Sequence, residues 1–344
     1  MSDARQALET TARAIVAPGK GVLAADESTG TMTKRLDSVD VESTEDNRRR
    51  FRELLFTAPE AERHISGVIL YDETIRQQSA DGTPFPELLA GRGMIPGIKV
   101  DTGAKPLAGA PDEKVTEGID GLRERLEEYR GLGARFAKWR AVIGIGDGLP
   151  SDYAITVNAH ALARYAALCQ EAEIVPIVEP EVLMDGDHTI ERSEEATGAT
   201  LRAVFSELLG QRVALEGMVL KPNMVLSGYE CKQQASVEEV AERTLRLLKR
   251  VVPAAVPGVA FLSGGQSDEA ASAHLSAMNA IGGVPWELTF SYGRALQAAP
   301  LQAWSGQEDN AEAAQSAFAH RARCNGEARR GAYTEELERE RAAA

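Results

Sequence analysis

Eight short apolar runs, most followed by a helical stretch, constrain what this chain can fold into. They lie at residues 22–26, 67–71, 96–101, 134–140, 174–180, 217–221, 259–265 and 286–294. Each is nearly continuous in hydrophobicity, as strands covered on both faces are. Helical spacing is read at 3–16, 45–56, 120–131, 153–170, 191–209, 236–250 and 268–280. Terminal helices follow at 295–304 and 309–323, with Pro300 expected to break the first. Residues 27–31 read as a hydroxyl-rich loop. Repeating strand and helix predicts a parallel α/β fold, and eight units favour a closed (β/α)8 barrel. An open doubly wound sheet is the alternative. However, Gly144-Ile145-Gly146-Asp147-Gly148 lacks the third glycine of a dinucleotide fingerprint, and no Walker A motif is present. No linker divides the chain, so one domain over 1–344 is expected, with residues 324–344 as a tail free to move.

Composition excludes several function classes. A net charge of −14 over 344 residues argues against a general nucleic-acid binder. No apolar stretch is long enough to span a membrane, and residues 1–16 carry no secretory pattern. Cys169, Cys231 and Cys324 are odd in number and far apart, which suits a reducing cytoplasm. His64, His160, His188, His274 and His320 form no His-x-x-x-His pair and no Cys/His cluster on this reading, so no metal site is expected.

The chemistry centres on Gly217-Met218-Val219-Leu220-Lys221-Pro222, an apolar run ending on a lysine. Alternation along a strand puts Val219 and Lys221 on one face, Met218 and Leu220 on the other. A neutral lysine amine attacks ketones and aldehydes to form an iminium. Its reference pKa of about 10.4 leaves roughly 0.04% neutral at pH 7. A second cation at about 4 Å, with an effective dielectric of about 20, opposes the charge by about 4 kcal/mol, or about three pKa units. Burial acts in the same direction. A snorkelling strand-end lysine would look the same in isolation.

The positions of the polar residues decide between these readings. Asp26, Lys99, Lys138, Glu179, Lys221, Ser263 and Ser291 each close one of the runs. A barrel gathers such residues at one mouth, where its active sites are built. Lys138 is then the second buried cation, and it shares a strand face with Arg140. Asp26, Glu179 and Glu181 are the acid–base candidates. Ser263-Gly264-Gly265 and Ser291-Tyr292-Gly293-Arg294 are the glycine turns that end runs seven and eight, where barrels commonly bind phosphate. Ser28, Thr31 and Lys99 offer a second anion site.

An amine for a ketone, acid–base carboxylates and two phosphate sites together suggest a sugar bisphosphate. Here the sequence resembles the class I fructose-bisphosphate aldolases. The resemblance rests on Leu23-Ala24-Ala25-Asp26-Glu27-Ser28-Thr29-Gly30, Phe136-Ala137-Lys138-Trp139-Arg140, Val175-Pro176-Ile177-Val178-Glu179-Pro180-Glu181, Leu220-Lys221-Pro222-Asn223-Met224, Leu262-Ser263-Gly264-Gly265-Gln266 and Ser291-Tyr292-Gly293-Arg294. It implies a cytoplasmic, metal- and cofactor-independent enzyme of glycolysis and gluconeogenesis, typically a homotetramer. Such enzymes cleave fructose 1,6-bisphosphate reversibly to dihydroxyacetone phosphate and glyceraldehyde 3-phosphate. Carried over, Lys221 is the Schiff-base lysine, Glu179 the acid–base group and Asp26 the base for the C4 hydroxyl. Lys138 lowers the pKa of the amine. Ser263, Gly264, Gly293 and Arg294 hold the 1-phosphate; Ser28 and Lys99 lie toward the 6-phosphate, with Arg35 and Arg140 in support.

Two departures stand out. Thr31 replaces a serine of the animal enzymes, and the chain lacks their terminal tyrosine: its last, Tyr333, lies upstream of that position. A deoxyribose-phosphate aldolase or transaldolase would need one phosphate site only. A non-catalytic barrel serving as a scaffold would not need Asp26, Glu179 and Lys221 together.

Overall fold

The computed structural model describes residues 3–340. In chain order its strands are β1 (Gly21–Ala25), β2 (Ile65–Leu70), β3 (Ile95–Lys99), β4 (Ala104–Leu107), β5 (Ala110–Thr116), β6 (Phe136–Ile143), β7 (Val175–Val182), β8 (Val219–Leu220), β9 (Gly258–Phe261) and β10 (Glu287–Tyr292). Eight of them close into a barrel in the order β1-β10-β9-β8-β7-β6-β3-β2. Each pairs in parallel with its neighbours. This is the (β/α)8 barrel expected from the eight runs, and β4 and β5 form a separate antiparallel hairpin.

The strands are apolar on both faces because both are covered. Every residue of β1, β2 and β7 is buried. Outside, the helices present amphipathic stripes: Val237–Val251 buries Val240, Ala241, Thr244, Leu245, Leu247 and Leu248, at helical spacing. Helix starts are fixed locally. The Ser151, Thr189, Ser236 and Ser267 hydroxyls accept from the backbone N–H three residues on, each such cap contributing about 1 kcal/mol.

Inside, Val22, Ala24, Ile69, Phe136, Val175, Ile177, Val219 and Ala260 form the interior cluster. Helix Asp3–Ile15 adds Leu8, Ala12 and Ile15 to that cluster. Lys221 follows Val219 on the inward face, whereas Met218 and Leu220 pack outward, as alternation requires. β8 is short because Pro222 has no N–H for the ladder. The wall continues regardless: Lys221 N–H donates to the Val178 carbonyl (2.8 Å), and Leu262 N–H to the Pro222 carbonyl (3.1 Å).

Three expectations change. Helix Arg294–Trp304 runs through Pro300 instead of breaking there, because the packing of buried Leu296, Pro300, Leu301 and Trp304 outweighs one lost hydrogen bond. Residues 29–31 are not loop but the first turn of helix Thr29–Asp37. The last long helix, Ala311–Ala328, extends past 323, so the expected tail start at 324 falls inside a helix with Cys324 and Asn325 buried. The end of the expected tail, residues 341–344, lies outside the described residues. Among the described residues, no helix is long and apolar enough to cross a membrane.

The interior leaves no room beside Phe136. A Cβ on Gly97 would lie 2.2 Å from the Phe136 ring. Gly97→Ala should therefore destabilise the fold by about 1–3 kcal/mol, the usual penalty for overpacking. Urea unfolding checks this. Adding Phe136→Leu should recover part of the loss, whereas strictly additive losses would show that the two residues do not compete for space.

Candidate active site

The carboxyl ends of the barrel strands surround a cavity of about 470 Å3. Asp26, Lys99, Lys138, Glu179, Lys221, Ser263 and Ser291 all line it, although they span most of the chain. β6 and β7 run further than their sequence runs suggested, so each offers two levels of inward side chains. Along β6 Lys138 lies deeper than Arg140, and along β7 Glu179 lies deeper than Glu181; the register sets Glu179 level with Arg140, one inward position above Lys138.

The deep level is a chain of four charges. Lys138 Nζ lies 2.6 Å from Asp26 Oδ2 and 3.3 Å from Glu179 Oε2. The other oxygen, Glu179 Oε1, lies 3.1 Å from Lys221 Nζ. The side chains of Lys138, Glu179 and Lys221 are each 4% exposed, that of Asp26 13%. Two amines face two carboxylates, so the buried set is formally neutral when all are ionised. Lys138 is thus not the bare cation that sequence reasoning placed beside Lys221: Glu179 lies between the two amines.

Burial alone would raise the Asp26 carboxyl, but Lys138, Lys221 and Lys99 together hold it well below the ordinary carboxylate range. Glu179 is lowered in the same way: burial and Asp26 push it up, and Lys138, Lys221 and Arg140 outweigh them. For Lys138, burial disfavours the charge, yet Asp26, Glu179 and Asp101 raise its pKa. At neutral pH the resting site holds two carboxylates, the form a general base requires.

At the opening, Arg140 is ion-paired with Glu181, so that carboxylate already has a partner. Lys99 Nζ reaches Asp101 Oδ1 at 2.6 Å and the Asp101 carbonyl at 2.8 Å. Asp101 Oδ2 also accepts the Arg140 N–H at 3.3 Å, which ties the two strands together.

Two corners offer donors to an anion. In the first, Arg294 Nη2 donates to the Gly264 carbonyl at 2.9 Å, joining the turns after β9 and β10. Gly264 has a φ of +58°, a conformation that favours glycine. The Ser291 hydroxyl is buried with no protein partner among the described residues, a donor left over for something in the cavity. In the second, Ser28 precedes helix Thr29–Asp37, and Thr31 and Arg35 follow at helical spacing on one face. Arg35 is ion-paired with Glu27, and a Cβ on Gly293 would lie 3.7 Å from its guanidinium. Arg35 therefore borders the first corner as well as the second.

Gly265 is a correction. It does not line the cavity, and a Cβ there would fall 2.3 Å from the Tyr229 ring, so its lack of a side chain serves packing. The expectation of no Cys/His cluster also fails. Among the described residues, ligand-type atoms of His320, Cys324 and Glu338 lie within 4.8 Å of one another. His320 and Cys324 are four apart on one helix, and Glu338 arrives from the C-terminal segment. Its carboxylate is held by Arg321 and by the Tyr333 hydroxyl, and none of these residues lines the barrel mouth.

Sequence reasoning missed the residues that hold the site from behind. Arg52, 1% exposed, donates to the Glu27 carbonyl at 2.9 Å and the Ala25 carbonyl at 3.4 Å, on either side of Asp26. Gln297 donates to Glu27 Oε1 and to the Ala24 carbonyl, each at 2.7 Å. Arg52 sits in an arginine-rich helix, so nothing marked it as buried. Tyr71 and Asp101, also on the cavity wall, were within reach of the alternation rule.

A (β/α)8 barrel that buries two amines against two carboxylates at this mouth has the makings of an amine-using aldehyde-lyase. The family model for fructose-bisphosphate aldolase class-I matches residues 7–344, and the chain belongs to that family. It is 59% identical to a probable fructose-bisphosphate aldolase class 1 of Xanthomonas campestris, covering 95% of this chain and 98% of that one. It is 55% identical to fructose-bisphosphate aldolase 1 of Toxoplasma gondii, over 95% and 90%. Among solved structures it superposes with a TM-score of 0.96 on fructose-bisphosphate aldolase of Plasmodium falciparum, in complex with TRAP and a small-molecule inhibitor. That match is 48% identical and covers 97% of each chain.

The charge chain makes a prediction about acid stability. Asp26 and Glu179 are depressed on folding, so their contribution is present above the unfolded values of about 4 and lost as pH falls through the lower folded values. Lys138→Met removes the nearest cation, so the folded Asp26 value rises and acid unfolding begins at higher pH. At pH 7 the stranded carboxylate should cost about 3–5 kcal/mol. Circular dichroism across pH 2–7 checks this, and an unchanged acid midpoint would contradict the assigned pairing.

Proposed function

We propose that this chain is a Schiff-base aldolase that reversibly cleaves fructose 1,6-bisphosphate to dihydroxyacetone phosphate and glyceraldehyde 3-phosphate. One observation carries the reading: Glu179 lies between Lys138 and Lys221, with Asp26 on the far side of Lys138.

Lys221 must shed a proton before it attacks, and Glu179, at 3.1 Å, is the adjacent base. The neutral amine adds to C2 of the ketose, and the proton that the nitrogen sheds passes to the carbonyl oxygen to give a neutral carbinolamine. Glu179 then returns a proton to that hydroxyl, water leaves and an iminium forms. Asp26, held as a carboxylate, takes the C4 hydroxyl proton. The C3–C4 bonding pair moves toward the iminium, the aldehyde leaves and an enamine remains. Protonation at C3 and hydrolysis of the iminium release dihydroxyacetone phosphate and restore the amine. Lys138 stays beside Asp26 and Glu179 while they exchange protons and is itself never consumed. Glu181 keeps Arg140 at the opening.

Ser263, Gly264, Ser291, Gly293 and Arg294 take the 1-phosphate; Ser28, Thr31 and Lys99 take the 6-phosphate, with Arg35 and Arg140 in support. Tyr333 does not stand in for the family's terminal tyrosine, because its hydroxyl bonds Glu338 at 2.8 Å and is not on the cavity wall. Once the aldehyde has left, Asp26 gives up the C4 hydroxyl proton to water, and Glu179 takes one up and delivers it to C3 of the enamine, so both carboxylates are restored. No step calls on a metal ion. The reading extends to one catalytic domain over the whole chain, a homotetramer in the cytoplasm, and a place in glycolysis and gluconeogenesis.

The test is cleavage of fructose 1,6-bisphosphate after prolonged EDTA treatment, which should persist; loss restored by zinc would overturn the scheme. Arg294→Ala should raise KM by roughly 10- to 150-fold, the range for a hydrogen bond to a charged group. Unchanged KM and kcat would refute the phosphate assignment.

A further inference from the structure

Seven barrel strands bring a polar residue identified from sequence to the mouth; β2 does not. Tyr71 comes directly after Leu70, the last residue of β2, and it lines the cavity. Its direction is set by alternation. Ile69, two residues earlier, belongs to the interior cluster, so Tyr71 is on the inward face. Its neighbours are set by register. Ala25 pairs with Leu70 and Leu70 with Ile98. One step further along the three strands, Tyr71 stands between Asp26 and Lys99.

Its hydroxyl is also set apart. The chain has seven tyrosines. Those of Tyr129, Tyr153, Tyr165, Tyr229, Tyr292 and Tyr333 each donate to a protein atom. Among the described residues, the hydroxyl of Tyr71 has no such partner. A phenol on the wall of a charged cavity, with its donor unused, is available to a ligand.

We propose that Tyr71 is a specificity-determining residue for the phosphorylated aldehyde half of the sugar, its phenol donating to the 6-phosphate. The inference rests on the aldolase reading above. Asp26 meets the C4 hydroxyl and Lys99 the far phosphate, so a donor between them faces the C5–C6 end of the substrate. Tyr71 takes no part in forming the Schiff base, because Glu179 and Lys221 lie on β7 and just after β8, away from β2 in the barrel order.

Tyr71→Phe removes the donor and keeps the ring. Among the described residues no group loses a partner, so the variant should melt with the wild type. Two substrates separate the outcomes: fructose 1,6-bisphosphate, and fructose 1-phosphate, which lacks the 6-phosphate. The variant should lose about 10-fold or more in kcat/KM on the bisphosphate, chiefly through KM. On fructose 1-phosphate it should stay within about twofold of wild type. In the condensation direction, KM should rise for glyceraldehyde 3-phosphate and not for dihydroxyacetone phosphate. Equal losses on both substrates, or none on the bisphosphate, would overturn the proposal. Wild-type enzyme that cleaves neither substrate would instead overturn the aldolase reading.

Discussion

The site depends on one carboxylate shared between two amines. Glu179 offers one oxygen to Lys138 and the other to Lys221, all three nearly removed from water. A lone ammonium buried to that degree would either neutralise or unfold the barrel around it, because effective desolvation amounts to several kcal/mol per ion. Placing Asp26 and Glu179 against Lys138 solves this and leaves Glu179 one oxygen for Lys221. Charges held this way need little rearrangement when a proton moves, which is what electrostatic preorganisation requires.

That arrangement is available only at one end of the barrel. The interior from Val22 to Ala260 is packed with aliphatic side chains and the Phe136 ring, and helix Asp3–Ile15 packs against the same cluster. The polar residues that alternation directs inward therefore gather at the opposite end. Behind them a buried network holds the backbone around Asp26: Arg52 takes the flanking carbonyls, and Gln297 and Arg35 take Glu27. The hairpin of β4 and β5 joins the same wall, bonded to Asn158 of the helix after β6, Asp152–Glu171, and to Ser151, which caps that helix.

Much of this was legible in the chain. Continuous apolar runs give buried strands, and a period of two selects Lys138, Glu179 and Lys221 over their neighbours. Pairing was not legible, because it depends on distances between strands remote in sequence: Glu181 bonded to Arg140, Lys138 bonded to Asp26. Arg52 resembled any arginine of an exposed helix. The hairpin was missed because Ala110–Thr116 is mostly polar and half exposed, without the apolar signature that marked the other strands. Gly265 was grouped with the phosphate turn because sequence cannot distinguish a glycine that frees an N–H from one that makes room for Tyr229. Pro300 misled in the opposite direction, since local propensity is weaker than the packing of a buried helix.

The central claim is that Lys221, and not the neighbouring Lys138, forms the covalent bond to the ketone. Incubating the enzyme with dihydroxyacetone phosphate, reducing with borohydride and mapping peptides by mass spectrometry tests it directly. Loss of activity and one reduced adduct, on Lys221, are expected. An adduct on Lys138 or Lys99, or full activity with no adduct, would contradict it.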